Sequence, residues 1–240
     1  MFRSGNPTLS EEVFTQQGRA ITRGEQMTVT GTVNKIGILF LLLLCGATIS
    51  WFNPSGAFIG IGAFGGFIVA MVTVFKREWS PVTAPIYALC EGLFLGAISL
   101  AFSHQYQGII FNAVSLTLGI FGAMFLIYRS GMIEVTHKFR MGVAAATGGI
   151  FLVFLAGFIL RLFGINLSLV YGTGVWGIGF SLIIVGIAAL NLVLDFDLIE
   201  KGAAAGAPQY FEWYTAFGLI VTLVWLYIEI LRLLSLAQRR

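Results

Sequence analysis

Seven apolar stretches follow one another between residues 33 and 235, divided by short polar or turn-forming breaks. A bilayer core about 30 Å thick is crossed by roughly 20 helical residues. Inside it every backbone N–H and C=O must be satisfied within the protein, so long uninterrupted apolar runs fold as helices. The expected spans are 33–52, 56–75, 81–102, 109–128, 141–163, 172–195 and 213–235. The breaks fall at Asn53-Pro54-Ser55, Lys76 to Pro81, Ser103 to Gly108, Arg129 to Arg140, Gly164 to Ser168 and Lys201 to Pro208. Composition agrees: of 240 residues 58% are hydrophobic and 10% charged, with a mean hydropathy of +0.90, far from the mix of a soluble domain. The reading is an all-α integral membrane protein. A polar amino-terminal segment, 1–32, precedes a seven-transmembrane helical bundle, 33–240. Residues 1–34 carry no apolar core followed by a small-residue cleavage site, so the first span is expected to be a true anchor.

A formal charge of +3 with scattered Lys and Arg does not suggest a nucleic-acid partner; the cations read as topology signals on loops. With the amino terminus on the cytoplasmic side of an inner membrane, the inner segments hold ten cations: Arg3, Arg19, Arg23, Lys35, Lys76, Arg77, Arg129, Lys138, Arg140 and Lys201. The outer segments hold four: Arg161, Arg232, Arg239 and Arg240. Three of these cluster at the carboxyl end, which seven spans leave outside. Either the earlier loops overrule that cluster, or the sixth or seventh span is re-entrant and the tail returns inside.

Glycine recurs inside the spans, at Gly56, Gly60, Gly62 and Gly66 and again at Gly92 and Gly96, a spacing that favours close helix packing. Cys45 and Cys90 lie in apolar runs, where free thiols behave as small hydrophobes, and imply neither a disulfide framework nor a metal site.

Of the 11 acids, seven lie in breaks or at span edges, where solvation suffices. Glu91, Asp195, Asp197 and Glu229 remain, and a carboxyl inside a membrane faces a bundle interior, a watery cavity or a partner. Glu91 is mid-span in YALCEGLFLG, too deep for so short a side chain to reach an interface. It reads either as a neutral carboxyl bonded to a neighbouring helix or as part of an ion pathway. Asp195 and Asp197, in NLVLDFDLIEKG, are two residues apart, about 200° around a helix, so only one can face the bundle centre. Asn191 lies one turn before Asp195 and Lys201 one turn after Asp197, which makes Asp195 the buried candidate and Asp197 a helix-end partner for Lys201. Glu229 precedes Arg232 by three residues and pairs with it on one face; Thr222, seven residues earlier, extends that face into a polar stripe.

No HExxH, GxSxG or Gly-Lys-Ser/Thr phosphate loop occurs, and an enzyme is not expected. His104 and His137 fall in breaks on opposite sides, against a shared zinc site. No cofactor is expected. Carboxylate and carbonyl oxygens are ligands that calcium accepts, and a buried carboxyl exchanges protons, so ion passage with pH gating suits these residues.

MTVTGTVNKIGILFLLLL, YALCEGLFLGAIS, VLDFDLIEKG and LYIEILRLL, in this order from Met27 to Leu234, resemble the Bax inhibitor family of seven-span proteins, in particular its bacterial Bax-inhibitor-like branch. The resemblance implies six spans around a central seventh and a calcium leak whose opening depends on pH through paired buried aspartates. It further implies suppression of cell death in eukaryotic relatives and, in one bacterial branch, association with a membrane protease. Asp195 matches the aspartate of the family's I/L-x-D-T-Q-L-I element, with Phe196 and Asp197 where Thr and Gln usually stand. Glu91 matches the acid of its E-G-x-x-x-G element. In the last span Thr222 falls at the family's second aspartate and Trp225 at its Asn, so the sensor pair is incomplete here. Two carboxyls can share a proton, whereas a carboxyl and a threonine lack that like-charge coupling. Asp197 or Glu229 is the expected substitute.

Three functions follow as expectations. The first is a pH-sensitive leak channel for calcium, the permeating ion, through the bilayer, with Asp195, Asp197 and Thr222 as sensor, Glu91 and Glu229 on the pathway, and Asn191 and Arg232 supporting. The second is an interaction protein that restrains another membrane protein, such as a protease, with no flux of its own. The third is a proton-coupled transporter.

Overall fold

The computed structural model describes residues 26–164 and 174–238, and the expectations that rest on Arg3, Arg19, Arg23, Arg239 and Arg240 lie outside them. Seven helices long and apolar enough to cross a membrane fill the described residues. They are α1 Val29–Phe52, α2 Gly56–Phe75, α3 Ser80–Gln105, α4 Ile109–Arg129, α5 His137–Leu162, α6 Val175–Ala204 and α7 Tyr210–Gln238. No strand occurs among them; one isolated bridge joins Gln26 to Pro208.

Helix starts follow local chemistry. The Thr28 hydroxyl accepts from the Gly31 N–H at 2.9 Å, and Thr136 does the same for Phe139 at 3.2 Å, each satisfying a donor that a first turn leaves orphaned. Pro81, in the first turn of α3, needs no intrahelical N–H there. Residues 61–65 of α2 form a π-helical turn rich in glycine.

The glycines of α1 and α3 do specific work. A Cβ on Gly46 would stand 2.6 Å from the Leu89 carbonyl oxygen, and Cβ atoms on Gly92 and Gly96 would strike the backbone of Leu43 and Ala47. The two backbones therefore touch, and α1 with α3 is the most extensive helix contact in the bundle.

Helix α7 is the centre. It packs against α1, α3, α4 and α6 and buries Ala216, Phe217, Leu219, Ile220, Leu226, Ile230 and Leu231. Helices α2 and α5 lie at the edge, against α3 and α6 respectively. Large apolar residues such as Leu41, Phe64, Phe111, Phe151 and Leu182 point outward, the pattern of a bundle whose solvent is hydrocarbon.

The backbone fixes relative sidedness. The Met27 N–H donates to the Ala207 oxygen at 2.7 Å and the Ser80 hydroxyl to the Tyr210 oxygen at 2.9 Å, so the start of α1, the α2–α3 turn and the α6–α7 turn share one face. Tyr128 and Arg140 bond to Glu200 and Asp197 of α6 and bring the α4–α5 turn to the same face. With 29 residues, α7 is about 43 Å long and lies antiparallel along α6. No re-entrant segment appears among the described residues, and α7 ends on the opposite face. The re-entrant alternative is thereby corrected.

Candidate functional site

The sixth span was expected to end at Asp195; residues 172 and 173 lie outside the described set, but its carboxyl end is now clear. Helix α6 continues nine residues further, to Ala204, so Asp195, Asp197 and Glu200 all project from regular helix and point at different neighbours. Successive 100° steps explain the separation.

Asp195 faces α7. Its Oδ1 lies 3.9 Å from where a Gly218 Cβ would stand, and the Thr222 hydroxyl is its polar partner across the seam. That hydroxyl also donates to the Gly218 carbonyl at 3.2 Å. A hydroxyl has one hydrogen, and Oδ2 of Asp195 is a buried oxygen without a hydrogen-bond partner among the described residues.

Asp197, read from spacing as a helix-end partner of Lys201, is itself buried, 5% exposed. It pairs with Lys201 at 2.7 Å, as the one-turn spacing predicts, and also with Arg140 of α5. Phe196, between the two aspartates, packs against Phe121, Phe125 and Tyr128 of α4. This anchors the helix rotation that sends Asp195 one way and Asp197 another. Glu200 accepts from Tyr128.

Asn191 does not join Asp195. Its amide donates to Thr147 of α5 at 2.8 Å and to the Ile187 oxygen at 2.9 Å; the roughly 40° between positions four apart turns it toward α5.

Glu229 pairs with Arg232 at 3.4 Å, as its spacing predicts, and accepts from Ser181 of α6. The Arg232 guanidinium lies over Phe154 at 5.4 Å and Phe180 at 5.9 Å. Ser181 is 14 residues before Asp195, about 21 Å along α6. The α6–α7 seam thus carries two polar stations at different depths, Asp195 with Thr222 and Ser181 with Glu229 and Arg232. Neither Asp197 nor Glu229 bonds to Asp195, so neither occupies the place of a second carboxyl beside it.

Glu91 turns away from that seam. It lies beside Gly66 of α2, whose absent Cβ would stand 2.7 Å from its Oε1, and its polar partner is Tyr87, one turn earlier. Tyr87 packs edge-on to Phe217 of α7, with centroids 4.8 Å apart, so an aromatic contact links the Glu91 partner to the central helix.

One acid was misjudged. Glu212, assigned to a solvated span edge, is 3% exposed. It accepts from the Thr28 backbone N–H and hydroxyl, both at 2.9 Å, and pairs with Lys35 at 3.5 Å. Lys35 also lies 5.6 Å over the Trp213 ring. Lys35 and Thr28 sit in the MTVTGTVNK stretch, but only the meeting of α1 with α7 shows that they answer to Glu212.

Among the described residues no three His, Cys, Asp or Glu side chains form a set able to hold a metal ion. His104 closes α3 and His137 opens α5, on opposite faces.

These features define a polytopic α-helical membrane protein with a buried seventh helix and acidic side chains at its interior seams. The family described as Bax inhibitor 1 like has a model that matches residues 6–239, and the chain belongs to that family. Comparison with curated proteins gives no match.

Proposed function

We propose that the protein is a proton-sensitive cation leak, with calcium as the permeating ion, whose sensor is Asp195 working with Thr222 on the α6–α7 seam. The observation that carries this reading is the Asp195 Oδ2 atom, buried without a partner among the described residues and opposite a threonine that already donates elsewhere. Membership of the Bax inhibitor family supports the class of activity.

Donor counting gives the sense of the gate. A protonated Asp195 donates to the Thr222 oxygen while Thr222 donates to Gly218, and the chain of bonds ties α6 to α7. An ionised Asp195 only accepts, and the single Thr222 hydrogen must serve either it or Gly218. An unshared charge in the bundle interior then favours entry of water or a cation. Flux rises with pH. Thr222 replaces the like-charge half of the family's aspartate pair with a neutral hydrogen-bond partner, and Asp197, neutralised by Arg140 and Lys201, serves to position α6.

The face that bears Lys35, Lys76, Arg77, Arg129, Lys138, Arg140 and Lys201 is cytoplasmic by the positive-inside preference, with the protein in the inner (plasma) membrane of a bacterial cell.

Calcium entry into liposomes holding the purified protein, followed from pH 6 to 8, tests this. Wild type leaks more at the higher pH, Asp195→Asn is low and flat, and Thr222→Val leaks more than wild type at pH 6, because the neutral link has lost its acceptor. If wild type leaks no more than empty vesicles, the pathway reading fails and restraint of another membrane protein, a protease among the candidates, takes its place. Solute movement against its gradient, driven by protons, would instead establish transport.

A further inference from the structure

On the face that holds the start of α1, an open cavity of about 590 Å³ lies between the beginning of α5 and the end of α6, lined by Val135, His137, Arg140, Met141, Ala144 and Lys201. Three of the six carry nitrogen donors. Arg140 and Lys201 already pair with Asp197, but one carboxylate cannot use up their donors: a guanidinium has five N–H groups and an ammonium three. Their side chains are 46% and 56% exposed while that of Asp197 is 7% exposed, so the common counter-ion lies beneath and the spare donors line the cavity. Glu200, on the same helix end, is held by Tyr128. The other charges on the bordering segments are Glu134 and Lys138, both exposed.

The cavity also has a direction. His137, Arg140, Met141 and Ala144 fall at i, i+3, i+4 and i+7 on one exposed stripe of α5. The cationic half lies in the first turn, and the apolar half runs toward the hydrocarbon. A soluble anion has no use for the lower half; a molecule with a phosphate at the interface and a chain below it uses both.

We propose that this cavity is a binding site for an anionic phospholipid, its phosphate held by Arg140 and Lys201 with His137 beside them and its acyl chain lying along Met141 and Ala144. Basic pockets between spans at the membrane–water boundary suit such headgroups, and the planar Arg fork matches a phosphate in two bonds at once. Because the same two cations hold Asp197, an occupied site stiffens the α5–α6 contact. The proposal stands apart from the cation pathway and does not need the protein to conduct.

The test is lipid retention by intact protein released from nanodiscs of phosphatidylglycerol and phosphatidylcholine in equal parts, counted by native mass spectrometry. Wild type retains phosphatidylglycerol over phosphatidylcholine by about tenfold or more. Arg140→Gln combined with Asp197→Asn removes the fork without stranding a buried charge and abolishes that preference, as does Lys201→Gln in part. Thermal unfolding shows each variant folded. Retention unchanged in the double variant overturns the proposal. Release of the bound lipid by millimolar inorganic phosphate would also overturn it, showing a site for a soluble anion.

Discussion

Removing the Glu212 carboxylate should loosen the amino-terminal end of the bundle, and the structure gives the size. Glu212 accepts two bonds from Thr28 at 2.9 Å and pairs with Lys35 at 3.5 Å. Hydrogen bonds to a charged group contribute about 1.5–3 kcal/mol each, and a donor stripped of its partner in a buried place costs about 1–3 kcal/mol. Thr28 and Lys35 are both near water, which takes up part of the loss. Glu212→Ala should therefore destabilise by about 3 kcal/mol, roughly a hundredfold in the folded-to-unfolded ratio. Glu212→Gln keeps an oxygen for Thr28 and loses only the ion pair with a 24% exposed Lys35 side chain, about 1 kcal/mol or less. Reversible unfolding in mixed micelles with increasing SDS measures both. A coupling of about 1 kcal/mol between Glu212→Ala and Thr28→Ala in a double-mutant cycle would tie the loss to this contact. If the Ala and Gln variants were equally mild, within about 0.5 kcal/mol of wild type, the contact would carry little and the reasoning from burial would be wrong.

Other sites give independent checks. Gly92→Ala places a methyl against the Leu43 backbone, which cannot swing aside, and should cost about 1–3 kcal/mol, whereas Gly119→Ala, where a Cβ meets nothing within 4 Å, should be neutral or slightly stabilising; thermal melts of the two side by side decide it. Asp197→Asn alone leaves Arg140 and Lys201 repelling each other and should lower stability more than the double change with Arg140→Gln, a reversal of additivity visible in the same unfolding assay. Ser99→Ala removes a 2.7 Å bond with Tyr227 that joins α3 to α7 and should cost about 0.6 kcal/mol, the scale of hydrogen bonds between membrane helices; a loss above about 2 kcal/mol would mean that it belongs to a larger network.

Much of the candidate site was written in local spacing. The pair of Glu229 with Arg232 and the pair of Asp197 with Lys201 are three and four residues apart, and helix geometry alone brings them together. The partners that decide what each acid can do were not legible. Arg140 stands 57 residues from Asp197, Ser181 48 from Glu229 and Thr28 184 from Glu212. No periodicity relates such positions, and each expectation that failed at this level, for Asn191 as a neighbour of Asp195 and Glu212 as an ordinary edge acid, failed for want of the facing helix.

The sequence by itself determined that seven helices cross a membrane, where they begin and end to within a few residues except at the carboxyl end of α6, and which side chains are too polar to be left facing lipid, because a bilayer of fixed thickness leaves a chain so apolar no other way to satisfy its backbone. Tertiary structure alone decided the use of each polar group. Phe196 packed on α4 sets the rotation of α6, that rotation turns Asp195 toward Gly218 and Thr222 and Asp197 toward Arg140, and a difference of 200° between two aspartates becomes the difference between a carboxyl with a free oxygen and one locked between two cations.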